Sequence, residues 1–275
     1  NCLTSASNNS VLRTGTRKFI QKKIKGNLLS LVQGASAINN YGHWVIDILP
    51  KIFITEKFKK IDKFSAIYLP NINHKFQKET FKILKINRKT LVDGSKIRHL
   101  SADKITIPQH PYWEKNKHQG TTANIEKEFI QLLRKKFLNK LKKTYAKKIF
   151  IDRSDSKFSH SQIENYEELI DTLKKNNFKI IKLANMPLKD QISYFYNCNV
   201  VVGAHGAGLC NSIFCRRNAK LIEIRSRGFN ADLLKKISKI NKLKYYRLSS
   251  SKGLPKDRLN PDIFVPIKKL LKLIN

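Results

Sequence analysis

The second half of the chain alternates between short apolar runs and amphipathic segments. The apolar runs are continuous, which is typical of strands that are buried on both faces of a parallel sheet. The amphipathic segments carry apolar residues at helical spacing. The predicted strands are Lys147–Asp152, Phe178–Leu183, Asn199–Gly203, Lys220–Ile224 and Lys244–Leu248, and the predicted helices are Asn165–Asn176, Pro187–Asn197, Gly206–Cys215, Ala231–Ile240 and Pro261–Leu273. This alternation predicts a doubly wound α/β domain.

The first half has a less regular pattern, although it also mixes helices with short strands. Its predicted helices are Gly42–Lys59, Lys75–Ile86 and Ile125–Lys143, and its predicted strands are Ala66–Leu69, Ile97–Leu100 and Lys104–Ile107. The long basic helix Ile125–Lys143 is a candidate bridge between the two halves. We therefore divide the chain into residues 1–144, residues 145–260 and a terminal helix over residues 261–275.

The composition changes this picture mainly through its charge. Hydrophobic residues make up 41% of the 275, which is enough for a core and excludes wholesale disorder. Lys plus Arg number 55 and Asp plus Glu number 20, so the formal net charge is +35. A polyanionic partner would account for this charge, whether nucleic acid, an anionic membrane surface or a phosphorylated substrate. We favour AT-rich coding as the main cause, because lysine far outnumbers arginine and is spread along the whole chain.

Three further features bear on where the protein works. No stretch approaches the roughly 18 consecutive apolar residues of a spanning helix, so we do not expect an integral membrane protein. The polar opening Asn1–Ser10 lacks the apolar core of a signal peptide, although the start at Asn1 leaves a lost N-terminal segment open. The four cysteines are Cys2, Cys198, Cys210 and Cys215. They form no C-x-x-C pair and no zinc-finger spacing with histidine, which predicts a reducing, cytoplasmic compartment.

The segment Val200–Asn211, V-V-V-G-A-H-G-A-G-L-C-N, is the most informative part of the sequence. It joins the end of a buried strand to the start of a helix, where unpaired N–H groups and the helix dipole favour an anion. A phosphate or pyrophosphate is the expected ligand, because glycines permit close backbone approach. The spacing G-x-x-G-x-G matches neither the dinucleotide fingerprint nor a P-loop, and a turn that only packs helix on strand is the alternative. His205 in this segment could contact a phosphate, act as an acid or base, or only cap the turn.

A second candidate lies at Asn40–Pro50, N-Y-G-H-W-V-I-D-I-L-P. His43 and Asp47 are four residues apart and would share one face of a helix. An imidazole and a carboxylate so placed could act as a base and its orienting partner, or form only a surface ion pair. Trp44 is either a core anchor or a sugar-stacking platform, and we favour the core.

Two more polar residues fall at the carboxyl ends of predicted strands, which is the edge where parallel sheets bind ligands. Arg153 follows one strand, where its guanidinium suits a diphosphate or a salt bridge to Asp152 or Glu164. Glu223 lies near the end of another predicted strand, where its carboxylate could accept hydrogen bonds from ribose hydroxyls or remain solvated. No D-x-D motif occurs, since Asp152 and Asp155 are one residue too far apart, and this argues against a metal-bridged diphosphate.

Taken together, these blocks resemble glycosyltransferase family 61. The resemblance rests on N-Y-x-H-W-x-x-D-x-L-P at Asn40–Pro50, on D-R with I-x-N-x-x-E-L at Ile163–Leu169, and on G-x-H-G-A-G-L-x-N at Gly203–Asn211 followed by L-I-E-I at Leu221–Ile224. The order and spacing of the blocks match over roughly residues 35–230. Cys210 departs from the family, which usually has Thr or Ser at that position.

The resemblance implies an inverting glycosyltransferase with a GT-B-like fold of two Rossmann-like domains. The C-terminal domain would hold a nucleotide-sugar donor and the N-terminal domain the acceptor, with the final helix crossing back to the first domain. The donor-binding residues that it implies are Arg153, His205, Gly206, Ala207, Gly208, Asn211 and Glu223. His43 and Asp47 would lie in the cleft. Bacterial members resemble capsular or lipopolysaccharide sugar transferases, which implies surface polysaccharide biosynthesis.

Inversion requires one displacement at the anomeric carbon, in which a base deprotonates the acceptor hydroxyl while the diphosphate leaves. We expect Asp47 to be that base, with His43 as the alternative. Arg153 and the loop Gly206–Gly208 would stabilise the leaving group without a divalent metal or another cofactor. A basic nucleic-acid-binding protein and a non-catalytic nucleotide-binding domain are the competing interpretations.

A lipid-linked acceptor would place the protein at the inner face of an anionic membrane. Each lysine near such a surface contributes about 1 kcal/mol of attraction. The candidate contacts are the helix Ile125–Lys143 and the C-terminal residues Lys268, Lys269 and Lys272.

Overall fold

Two separate β-sheets, each built only from parallel strands, organise the chain in the computed structural model. The structure describes residues 22–32, 39–97, 99–109, 125–139, 141, 146–155, 162–227, 231–251 and 262–274. The chain divides into two compact units between Phe129 and Ile130. The predicted boundary near residue 144 lies outside the described residues. The α/β class with two parallel sheets is confirmed.

The first unit places its longest strand inside its sheet. Its strands are β1 (Lys22–Ser30), β2 (Ala66–Leu69), β3 (Leu91–Asp93) and β4 (Leu100–Thr106), in the order β3-β2-β1-β4. Its helices are α1, which runs through the segments Tyr41–His43, Trp44–Ile48 and Leu49–Phe58, then α2 (Lys75–Ile83) and the first residues of α3 (Lys127–Phe137). The crossovers from β1 to β2 and from β2 to β3 leave β4 on the other side of β1, which is a Rossmann-like order.

The pattern of apolar residues does not predict β1 or β3. The first half of β1 is rich in lysine, and only Leu28 and Leu29 are buried in it, so no continuous apolar run marks this strand. β3 has only three residues. The two short strands predicted at Ile97–Leu100 and Lys104–Ile107 are replaced by one continuous strand, β4, which pairs with β1 and is exposed at residues 103–105.

Helix α1 is interrupted by a wider turn that precedes a proline. The Leu49 N–H donates to the Trp44 carbonyl, which is the i to i+5 bond of a π-helical turn. Pro50 is the next residue and has no N–H, so it cannot donate the regular i to i−4 hydrogen bond of an α-helix. Trp44 is fully buried, and its indole Nε1 donates to Thr80 Oγ1 at 3.3 Å. This confirms the core interpretation of Trp44.

The second unit follows the predicted alternation closely. Its strands are β5 (Lys148–Asp152), β6 (Lys179–Lys182), β7 (Val200–Ala204), β8 (Lys220–Arg225) and β9 (Lys244–Ser249), in the order β6-β5-β7-β8-β9. Its helices are α4 (Tyr166–Lys175), α5 (Leu188–Asn197), the 3-10 helix Ala207–Phe214, α6 (Leu233–Asn241) and α7 (Ile267–Ile274). The strand order reverses between β5 and β7, and such a switch point is where open α/β sheets bind ligands.

Three helices differ from the sequence pattern. The segment after β7 forms a 3-10 helix, because glycine, asparagine and serine within it are poor α-helix formers and the last two compete for backbone hydrogen bonds. Helix α3 ends at Phe137, earlier than predicted, and Lys142 and Lys143 lie outside the described residues. Helix α7 buries Leu270 and Ile274 in the core of the second unit, whereas the resemblance implied that it crosses back to the first.

Candidate functional site

The switch point of the second unit brings together two of the predicted segments. Arg153 directly follows β5, and the loop His205–Gly208 directly follows β7. Ile151 of β5 pairs with Gly203 of β7, so the two strands end at the same edge of the sheet. Residues 205–208 are partly exposed between buried neighbours on both sides. This strip is the part of the glycine-rich segment that a ligand can reach.

Arg153 holds a positive charge at this edge, and no carboxylate of the described residues pairs with it. Its Nη1 donates to the His205 carbonyl at 2.5 Å, and within the described residues it makes no salt bridge. Partial burial lowers the pKa of the guanidinium below its ordinary value. Asp152, the predicted alternative partner, instead accepts hydrogen bonds from Ser154 and from the Tyr166 hydroxyl at 2.9 Å. A half-buried guanidinium in this position is suited to an anionic ligand.

The glycines of the loop are explained by close packing. A Cβ atom on Gly206 would lie 3.2 Å from the Arg153 Cζ, so the guanidinium lies directly against this backbone. A Cβ atom on Gly208 would lie 2.8 Å from Leu183 Cδ1. The absence of a side chain at Gly206 therefore leaves room for Arg153, and at Gly208 it leaves room for Leu183. The role of Gly208 agrees with the alternative in the sequence analysis, a turn that only packs a helix on a strand.

The first turn of the 3-10 helix offers backbone donors next to the guanidinium. The Leu209 N–H bonds to the Gly206 carbonyl at 3.1 Å and begins the internal ladder. The N–H groups of Ala207 and Gly208 precede that bond and have no acceptor within the helix. Together with Arg153 they form a short positive strip that could bind a diphosphate.

His205 is anchored by a buried carboxylate. Its Nδ1 lies 2.5 Å from Glu223 Oε1, and the imidazole is 31% exposed while Glu223 is fully buried. The other oxygen, Oε2, accepts hydrogen bonds from the Tyr245 hydroxyl at 2.5 Å and from Arg225 Nη2 at 2.7 Å. Burial opposes ionisation of Glu223, but these three donors outweigh it and lower the pKa of the carboxyl. Burial and the Glu223 charge raise the pKa of Tyr245 to about 12.

Two of the predicted donor-binding residues have side chains that face the interior. Glu223 has no exposed surface, and both of its oxygens are occupied, so the geometry favours an anchor for His205 over a direct ribose contact. Asn211 is fully buried, and its Nδ2 donates to Gln191 Oε1 at 3.1 Å. Cys210 is buried as well, so a hydroxyl at that position would face the core.

The first unit carries a second His–carboxylate pair, on α1. Asn40 caps this helix by accepting the His43 N–H at 3.3 Å. One turn later, Asp47 Oδ2 lies 2.6 Å from His43 Nδ1. The imidazole is 33% exposed and the carboxylate only 6%. The ring is thus held through Nδ1, while Nε2 makes no hydrogen bond to any residue that the structure describes.

Lys51 extends this arrangement by one more turn, and the sequence analysis missed it. It follows Asp47 by four residues on α1 and is buried, with 4% of its surface exposed. Burial lowers the pKa of Lys51 to about 8, although the Asp47 charge acts in the opposite direction. The continued spacing of four residues was the signal for it. Arg225 follows Glu223 by two residues on β8, so the strand period of two was a signal for it. Tyr245 gave no such signal, because only the pairing of β8 with β9 brings it near Glu223.

The described residues include no group of three or more His, Cys, Asp or Glu side chains that could hold a metal ion. In the same part of the chain, no helix combines the length and the apolar character needed to cross a membrane.

Comparison with known proteins adds three findings. The sequence matches the family described as Glycosyltransferase 61 over residues 41–222. The Beta-1,2-xylosyltransferase of Arabidopsis thaliana is 35% identical over 75 residues, a match that covers 26% of this chain and 14% of that protein. The crystal structure of the bacterial iron-containing dodecameric glycosyltransferase TibC from enterotoxigenic E. coli H10407 is similar at a TM-score of 0.40 and 10% identity, over 86% of this chain and 65% of that one. Because the family match spans most of the chain and includes the His43–Asp47 pair, Arg153 and the loop His205–Gly208, this protein belongs to glycosyltransferase family 61.

Proposed function

We propose that this protein is an inverting glycosyltransferase that moves a sugar from a nucleotide-sugar donor to a hydroxyl of a glycan or glycolipid. The observation that carries the proposal is the guanidinium of Arg153, which lies at the switch point beside the loop His205–Gly208 and forms no ion pair with a carboxylate of the described chain. A diphosphate satisfies such a charge and the adjacent backbone N–H groups together. Membership of the family supports glycosyl transfer as the reaction.

The base that we propose is His43 rather than Asp47, which the sequence analysis favoured. Asp47 is almost fully buried behind the imidazole and can hold its Nδ1–H, whereas Nε2 remains to accept a proton. In the proposed step, the acceptor hydroxyl gives its proton to His43 Nε2, and its oxygen forms the new bond to the anomeric carbon. The bond from that carbon to the diphosphate oxygen breaks, and the nucleoside diphosphate leaves with the electron pair.

The leaving diphosphate gains negative charge during this step. Arg153 and the N–H groups of Ala207 and Gly208 are placed to stabilise that charge, so we propose a reaction without a divalent metal or another cofactor. His205, held by Glu223, would contact the diphosphate from the same edge. Activity that is retained after exhaustive chelation would support this part, and activity restored only by an added divalent cation would overturn it.

The setting that we propose is the biosynthesis of a surface polysaccharide, capsular or lipopolysaccharide, in the cytoplasm with peripheral contact to an anionic membrane. This part rests on the resemblance and on the net charge of +35.

A panel of nucleotide sugars tests the proposal. Because one relative is named a xylosyltransferase, the panel begins with nucleotide-activated xylose and continues through hexose and N-acetylhexosamine donors. We expect one donor to raise the melting temperature and then to be hydrolysed slowly or transferred. Binding without sugar release would favour a non-catalytic nucleotide-binding domain. Tight, steeply salt-dependent binding of oligonucleotides with no response to any donor would favour a nucleic-acid-binding protein.

A further inference from the structure

The large apolar side chains that are exposed in the described chain all belong to the first unit. The large apolar side chains that the structure leaves exposed are Val32, Phe58, Ile105 and Ile107. Phe58 is 86% exposed at the end of α1, and Ile107 is 70% exposed just after β4. Single exposed apolar residues are ordinary on a protein surface, but a cluster of them marks an interaction site.

Phe58 and Ile107 lie on the rim of one cavity, with a volume of about 680 Å³. Its lining is largely apolar on the α1 side and includes Ile54 and Phe64. α1 rises about 1.5 Å per residue, so Phe58 lies about 20 Å along the helix from His43. The cavity is therefore separate from the His43–Asp47 pair.

Lysines surround this apolar rim. Lys60 and Lys104 are exposed, and Lys59 places its Nζ 4.8 Å from the centroid of the Phe64 ring. Asp103, an acidic neighbour, accepts the Gly26 N–H at 2.7 Å, and Glu126 lines the cavity. Exposed aromatic and aliphatic side chains flanked by lysine are typical of proteins that lie on a membrane surface.

We propose that this face, formed by Phe58, Ile107 and Lys104 around the cavity together with the exposed Lys60 next to Lys59, and called here the Phe58 surface, docks on an anionic lipid bilayer. The net charge of the whole chain favours a lipid bilayer over a second copy of the protein. A second copy would bring another formal charge of +35 against the first, whereas anionic headgroups attract lysine within a Debye length. The purpose of docking, access to a lipid-linked acceptor, rests on the proposed function, but binding to vesicles does not.

Vesicle co-sedimentation of the full chain at low salt tests the Phe58 surface. The vesicles are phosphatidylcholine alone, or phosphatidylcholine with about one third phosphatidylglycerol. We expect binding to the anionic vesicles only. The double variant Phe58→Ser/Ile107→Ser and the double variant Lys60→Gln/Lys104→Gln should each bind about tenfold more weakly. Lys174→Gln/Lys175→Gln removes the same charge from the exposed end of α4 and should bind like the wild type.

Several outcomes would overturn the proposal. These are no binding to anionic vesicles, equal losses in the α4 control, or a wild-type dimer that Phe58→Ser/Ile107→Ser converts to a monomer. A Phe58→Trp variant in a Trp113→Phe background gives a second measurement, because insertion should shift the added emission to the blue, while the remaining Trp44 is already buried. An unshifted emission would also overturn it. Donor hydrolysis in solution, measured on the same variants, should be unchanged, so loss of docking and loss of the proposed reaction are distinguishable.

Discussion

Each unit of the molecule contains a histidine paired with a buried carboxylate, but the two pairs are built in opposite ways. His43 and Asp47 lie one turn apart on α1, and the next turn adds Lys51. His205 and Glu223 come from the ends of neighbouring strands, and Glu223 is also bound by Arg225 and Tyr245. The first pair leaves a ring nitrogen for proton transfer, whereas the second fixes a ring beside an anion-binding strip. We therefore infer that the first pair serves the chemical step and the second serves the donor.

Removing the imidazole of the first pair should have the largest effect. His43→Ala should lower kcat by about 10³-fold and leave donor affinity unchanged, because we propose that His43 acts as a base on the acceptor hydroxyl and not on the donor. His205→Ala should instead weaken donor binding more than it lowers kcat. Steady-state kinetics together with calorimetric donor titration would separate the two. His99→Ala, at the amino end of β4, is the control; an equal loss of kcat in His99→Ala or an unimpaired His43→Ala would refute the division of roles.

Breaking the second pair should cost mainly stability. Glu223→Gln leaves the buried Arg225 without its anionic partner, and we expect the free energy of unfolding to fall by about 3 kcal/mol. Because the folded pKa of Glu223 is lowered, this contribution is present at neutral pH and is lost as the pH falls through the folded pKa. Urea unfolding measures both effects. Glu167→Gln, on the exposed face of α4, should be nearly neutral, and a neutral Glu223→Gln would show that the network adds nothing.

Lys51 should give the first unit its own dependence on pH. Its folded pKa of about 8 lies below the 10.5 of the unfolded chain, so between these values the unfolded state binds more protons. The free energy of unfolding should therefore rise by about 2 kcal/mol from pH 8 to 10. Lys51→Met should abolish this rise, and the exposed Lys78→Met should retain it. If the free energy of unfolding of the wild type did not change between pH 8 and 10, burial would not lower the pKa of Lys51.

Alanine substitutions of the two loop glycines should have the smallest effects, and they should distinguish a role in ligand binding from a role in packing. Gly206→Ala places a methyl group 3.2 Å from the Arg153 guanidinium and should weaken donor binding by a few-fold with little change in stability. Gly208→Ala meets Leu183 instead and should lower the melting temperature with a smaller change in affinity. Thermal unfolding and donor titration of both variants measure these two effects. If Gly208→Ala weakened donor binding more than Gly206→Ala did, the ligand would instead lie against Gly208.

The sequence predicted the second unit better than the first for a physical reason. Strands β5, β7 and β8 read as apolar runs because almost all of their residues are buried, and the bounds of all five strands follow within a residue or two. The exposed lysines of β1 hide a central strand, and the three residues of β3 are too few to give a pattern.

The candidate sites divide in the same way. Helical spacing was enough to pair His43 with Asp47, and the position of Arg153 after a strand was enough to place it at the ligand edge. The anchoring of His205 depends on the register that sets Gly203 beside Glu223, and residue spacing along the chain does not encode that register. The choice between Asp47 and His43 as the base required the burial of each, which the spacing also leaves open.

Calorimetric titration of the wild type and of Arg153→Ala with the donor selected from the panel tests the central claim most directly. Arg216→Ala, another arginine of the second unit that lies over the Tyr196 ring, is the matched control. We expect the wild type and Arg216→Ala to bind the donor alike, and Arg153→Ala to bind at least about tenfold more weakly while remaining folded. Equal affinity in Arg153→Ala and the wild type would contradict a diphosphate site at the switch point.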